Sequence, residues 1–79
     1  MKTKVYSSTV YDTRNKALQA AQRIARQHQK ATLWYLGYRQ YTVTEYEQGD
    51  ESKLEALRII FADGKAVDAV QYAKQLEQE

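Results

Sequence analysis

Hydrophobic and polar positions change period several times along the chain. Residues 4–11 are rich in Val, Tyr, Ser and Thr, the composition of a strand. Asp12 or Thr13 then stands where a helix cap belongs. Residues 14–30 are dominated by Ala, Leu, Gln, Arg and Lys, all good helix formers. At the helical period, Ala17, Leu18, Ala21, Ile24, Ala25 and His28 share one stripe. That face is expected in the core, with His28 as a structural histidine at its end. Residues 31–36 read as the next strand. Residues 41–47 alternate as a strand with one wet face. Between them, residues 37–40 form a hairpin turn, or Gly37 is a bulge in one long bent strand.

Residues 48–52 have loop composition. Residues 54–62 read as a further strand, with Leu57, Ile59 and Phe61 on one face and Ile60 on the other. Asp63-Gly64 signals a two-residue hairpin that returns residues 65–67 along it. Asp68 opens a last helix, with Gln71 completing a capping box and Val67 and Tyr72 a hydrophobic staple. Ala69, Val70, Ala73 and Leu76 would supply its buried face. The order is β-α-β-β-β-α, with room for one short extra strand. The expected fold is a two-layer α+β domain, an antiparallel three- to five-stranded sheet with both helices on one face.

Seventy-nine residues make one domain, and 43% hydrophobic with 28% charged residues make it globular rather than disordered. The absence of cysteine removes disulfide frameworks and cysteine-based metal or redox sites, and a single histidine removes a His-cluster metal site. No cofactor is expected. The N-terminus has charge but no apolar stretch of signal-peptide type, and no run approaches a membrane span. The expectation is a cytoplasmic protein without a membrane partner.

Charge changes the picture more than composition does. Residues 1–44 carry eight Lys and Arg against Asp12 alone, net +7; residues 45–79 carry four against nine acids, net −5. Such a split suggests a basic face for an anionic partner, unless the halves neutralise each other across the fold. Lys16, Gln19, Arg23, Arg26 and Lys30 fall on the arc opposite the apolar stripe. The first helix holds no acid after its cap, although Glu–Lys pairs would support it. Arg26 and Lys30 read as a like-charge pair at i,i+4, a cost consistent with a face that meets anions. Seven tyrosines add apolar area with a hydroxyl, suited to interfaces or to completing a small core. Tyr38, beside Arg39, and Tyr46, between two glutamates, read as wet.

Catalysis finds little support. No nucleophile stands with a base and a group to orient it. No glycine-rich phosphate loop follows a strand, and the carboxylates of the central loop and C-terminus read as solvated. The run Ala21-Gln22-Arg23-Ile24-Ala25 after a strand, followed by more sheet, resembles small phage anti-CRISPR proteins of the strand-helix-sheet type. The resemblance covers about a third of the chain. It implies a surface that docks on an effector complex and blocks guide or target binding, with Arg23 and its neighbours as contacts. Ribosome hibernation factors share the element order, and double-stranded RNA-binding domains share most of it. Here the last helix opens Asp68-Ala69-Val70-Gln71 and lacks the basic character of both.

The expectation is a non-enzymatic binding protein. Its partner-binding residues would be Lys16, Gln19, Arg23, Arg26, Lys30, Tyr38 and Arg39. The partner would be an acidic protein surface or a nucleoprotein complex, and the leading biological reading is a phage or mobile-element inhibitor. Alternatives are a nucleic-acid-binding accessory protein and a self-associating module, such as a homodimer, in which basic and acidic halves meet.

Overall fold

The computed structural model describes residues 9–78. The elements are α1 (Arg14–His28), β1 (Lys30–Gly37), β2 (Gln40–Glu45), a 3-10 turn (Asp50–Ser52), β3 (Ala56–Phe61), β4 (Ala66–Asp68) and α2 (Ala69–Gln78). The strands form one antiparallel sheet in the order β2-β1-β3-β4, so the fold is α+β as the pattern predicts, with the extra strand present. Of the expected first strand, residues 4–8 lie outside the described residues. Its end is described: Tyr11 exchanges backbone hydrogen bonds of 2.7 and 2.8 Å with Tyr41.

Thr13 caps α1, its hydroxyl accepting from the Lys16 N–H at 3.2 Å. Ala17, Ala20, Ala21 and Ala25 are the buried face, with Leu18 and Ile24 half-buried beside them. The helix ends at His28, short of the expected Lys30, because Gln29 turns to φ +78°. Lys30 therefore begins β1. His28 does not join the buried stripe. It is exposed at the end of the helix, with Nδ1 3.6 Å from Oε1 of Glu45.

The helices occupy opposite faces of the sheet, not one face, so the domain has three layers rather than two. The register explains why. Ala31 and Leu33 of β1 point toward α1 and pack with Val43 and Ile60. Thr32 and Trp34 point the other way, and Trp34, Ala56 and Ile59 form a second core with Ala69 and Tyr72. The four residues Ala31 to Trp34 are fully buried, so both faces need a cover. The same reversal removes the wet face expected of β2, where Thr42 and Thr44 are buried. The Trp34 indole N–H donates to the Thr44 hydroxyl at 2.7 Å.

Two bulges adjust what each strand presents. Leu33 pairs with Arg58 but Trp34 with Ala56, leaving Leu57 as an extra residue. Leu57 consequently packs on the α1 side while Ile59 and Phe61 belong to the α2 side. Ile60, expected on the other face from them, is fully buried under α1. Leu54, expected inside a strand, precedes β3 and is 96% exposed. A second bulge lies between Tyr35 and Gly37, just before the β1–β2 hairpin. The chain does turn there, with Tyr38 and Arg39 as its two central residues at φ +54° and +60°. That is the type I′ pattern, which favours Asn-Gly.

The β3–β4 hairpin has three loop residues, 62–64, rather than two. Gly64 N–H bonds to the Phe61 carbonyl at 3.0 Å and Phe61 N–H to the Lys65 carbonyl at 2.8 Å. Gly64 holds φ +94°, and a Cβ there would stand 3.0 Å from Gln22 Nε2. Asp68 caps α2 as expected, Oδ1 accepting from Val70 N–H at 2.9 Å. The buried face of α2 is Ala69 and Tyr72, whereas Val70 and Leu76 are exposed.

Two outcomes follow from this packing. Ile60→Ala is expected to lower unfolding free energy by about 2–5 kcal/mol, and Leu54→Ala to change it by less than about 0.5, both read by urea titration. Tyr38→Asn/Arg39→Gly is expected to raise stability by about 1–2 kcal/mol, because it replaces two side chains held in the left-handed region.

Candidate functional site

The residues expected to bind a partner fall into three places. Gln19, Arg23 and Arg26 stand exposed on the outer face of α1. No acid interrupts that helix, and among the described residues no carboxylate lies within ion-pair distance of either arginine. Lys16 lies on the same helix but is engaged, its ammonium 3.1 Å from Asp12 Oδ1. The hydrogen bond and charge of Lys16 hold the Asp12 carboxyl below its ordinary value. Tyr38 and Arg39 form the exposed tip of the β1–β2 hairpin, at the end of the sheet where α1 begins. Arg26 stands toward the opposite end, near the His28–Glu45 contact.

Lys30 leaves the basic face altogether. As the first residue of β1 it points to the α2 side, where its ammonium donates to the Tyr72 hydroxyl at 2.9 Å. The same ammonium lies 5.1 Å from the Tyr46 ring centre, 5.5 Å from Tyr72 and 5.9 Å from Phe61. This is a cation held by three aromatic faces. The like-charge pair expected between Arg26 and Lys30 does not exist, because the helix stops between them.

The central loop is the feature that the sequence misread most. Asp50 and Glu51 are buried, not solvated. Asp50 Oδ2 accepts from the Thr32 hydroxyl at 3.1 Å and from the Glu47 N–H at 3.0 Å, and Lys53 lies 3.7 Å from Oδ1. Tyr46, read as wet, is half-buried with its ring edge-on to Tyr72 at 6.1 Å, and its hydroxyl donates to Glu51. Burial, with the Glu51 carboxylate beside it, pushes the Tyr46 phenol well above its ordinary value. A signal was present in the Gln48-Gly49-Asp50 run, since Asp commonly folds a turn back on itself. What it could not show is that the turn lands on Thr32.

Beside α1, a groove of about 240 Å³ is lined by Leu18, Gln19, Gln22, Ile60, Gly64 and Ala66. Among the described residues no group of three or more His, Cys, Asp or Glu could hold a metal ion, and no helix is long and apolar enough to cross a membrane. Ion pairs between described residues are Lys16–Asp12, Lys53–Asp50 and Arg58–Asp68, each within one segment, and the His28–Glu45 contact joins the basic segment to the acidic one. Comparison with protein-family models, curated proteins and solved structures returned no match.

Lys30→Ala is expected to cost about 1–2 kcal/mol by removing a half-buried hydrogen bond and its aromatic contacts, while Arg26→Ala stays within about 0.5. Tyr46 supplies a pH signature. Its folded pKa lies above the ordinary 10.0, so the protonated phenol is favoured by folding. The contribution is complete below pH 10 and is lost as pH rises above it, where the unfolded chain releases the proton first. Wild type should lose stability more steeply than Tyr46→Phe above that pH, measured by denaturant titration at successive alkaline pH values.

Proposed function

We propose that the chain is a non-enzymatic docking protein that seats the outer face of α1 on an anionic surface of a partner, an acidic protein face within a nucleoprotein complex. One observation carries the reading. Arg23 and Arg26 project from the same helix face without a carboxylate partner among the described residues, while the domain's other cations include several that are tied down. Unpaired guanidiniums on a rigid helix are ready donors for carboxylates or phosphates. A role as an inhibitor that covers such a surface is what the resemblance of residues 21–25 to anti-CRISPR proteins implies.

The structure reduces the charge available to a nucleic acid. Lys16 is paired and Lys30 faces the other layer, so two guanidiniums remain on the face instead of four cations. Direct binding to nucleic acid through this face would carry a shallow salt dependence, roughly 0.7–0.9 log units per log unit of salt for each phosphate contact. Two contacts make weak binding at physiological salt, which favours an acidic protein face.

The test is Arg23→Glu/Arg26→Glu beside a Glu77→Lys control. Affinity capture from a lysate of the source organism and titration with single-stranded and duplex DNA and RNA at low salt are the readouts. Partner capture is expected to fall at least about tenfold for the arginine reversal, with melting temperature unchanged, and to persist in the control. Intact capture by the reversed protein would overturn the α1 face as the site. Tight nucleic-acid binding that the reversal abolishes would replace the protein partner with a nucleic acid.

A further inference from the structure

The exposed apolar side chains are not scattered. Among the described residues seven large hydrophobic side chains are exposed, and five of them, Val10, Tyr35, Leu36, Tyr38 and Leu54, lie toward the hairpin end of the sheet. The backbone bonds establish that grouping. Tyr11, next to Val10, pairs with Tyr41, and Tyr41 is the register partner of Tyr35. Tyr35 N–H donates to the Glu55 carbonyl at 2.9 Å, which brings Leu54 beside the end of β1. The row runs from the Tyr11 bridge over β2 and β1 to the entry of β3, roughly 15 Å at the usual strand spacing. Tyr38 and Leu54 within it are 95% and 96% exposed.

Apolar patches that extend this far on a small domain mark interaction surfaces. The hairpin tip adds a second sign. Tyr38 and Arg39 occupy positive-φ positions where Asn-Gly would fit without strain, so a large side chain and a cation are displayed at a backbone cost.

The charges at this end select the occupant. Arg39 at the hairpin tip and Glu55 at the entry to β3 are both exposed, and neither has an ion-pair partner among the described residues. They flank the end of β1, two strand positions apart, roughly 10 Å. A phosphate-bearing or uniformly acidic partner would satisfy Arg39 and oppose Glu55. A second copy of the chain related by a two-fold axis satisfies both, because an isologous contact sets residue i against j and j against i.

We propose that the chain forms a two-fold homodimer through this end of the sheet, with Tyr38 and Leu54 of the two copies in the apolar centre and Arg39 of each copy paired with Glu55 of the other. The contact leaves the outer face of α1 open in both copies. It is therefore independent of the docking function proposed above, and it would present two α1 faces to a partner.

The test uses the whole chain in sedimentation equilibrium over a range from micromolar to millimolar. The expected average mass rises from 9.2 kDa toward twice that value. Tyr38→Asp/Leu54→Asp is expected to stay monomeric with an unchanged circular dichroism spectrum. Arg39→Glu and Glu55→Arg are each expected to weaken dimerisation about tenfold or more, since each sets two like-charge pairs in the interface. Combining them is expected to restore the wild-type constant to within about threefold, as a pairwise interaction requires. Arg23→Glu/Arg26→Glu should dimerise normally. A wild-type chain that remains monomeric at millimolar concentration overturns the proposal and returns the patch to a different protein. So does a dimer that survives Tyr38→Asp/Leu54→Asp, or a charge swap that restores nothing. A dimer lost in Arg23→Glu/Arg26→Glu would move the interface to α1 and overturn it as well.

Discussion

The double burial of β1 is the constraint from which the other layers follow. Ala31 and Leu33 face one way, Thr32 and Trp34 the other, and none of the four has access to solvent. A central strand apolar on one side alone would be content with a single helix. Here the Trp34 indole is fully buried on the side away from α1, where it needs a hydrophobic cover and an acceptor for its N–H. Thr44 is the acceptor, and Ala56, Ile59, Ala69 and Tyr72 join Trp34 in the core of that side. The second layer, made from a loop, a 3-10 turn and a ten-residue helix, exists because of that side chain.

Such a thin second layer is held by polar groups as much as by apolar ones. Asp50 reaches through the layer to Thr32 of the central strand and also closes its own loop at Glu47. Glu51 accepts from Tyr46, and Tyr46 packs on Tyr72 of α2. Lys30 completes the arrangement from the sheet, bonded to Tyr72 and surrounded by three rings. Loop, strand and helix are thereby coupled through side chains that would each be costly to leave unpaired in this setting. Cations and tyrosines that composition would assign to a binding surface are in part consumed by this layer.

What remains outside is sorted by place. The outer face of α1 keeps Arg23 and Arg26 without an ion-pair partner among the described residues, and the hairpin end of the sheet keeps most of their exposed large apolar side chains beside Arg39 and Glu55. The two surfaces differ in chemistry. The first holds no acid within its helix, and we propose an anionic partner for it; the second mixes a cation with an anion, and we propose a second copy.

Local order was legible in the sequence wherever short-range chemistry decides it. Thr13 as a cap, the alanine face of α1, the turn at residues 37–40, the return strand after Gly64 and the cap at Asp68 all depend on residues within a few positions of each other. Arg23 and Arg26 were likewise legible as an exposed basic face, because helical periodicity alone separates them from the alanines. The side of the sheet on which each helix lies is a different kind of quantity. It depends on strand parity and on two bulges, and one extra residue such as Leu57 transfers a side chain to the other layer. The fates of Lys30 and Asp50 depended on where Gln29 ended the helix and on what the loop met across the sheet, at Tyr72 and Thr32. Periodicity determined which residues share a face of an element. Only tertiary packing decided what that face meets, because the partners of a buried charge lie tens of residues away in sequence and within hydrogen-bond reach in space.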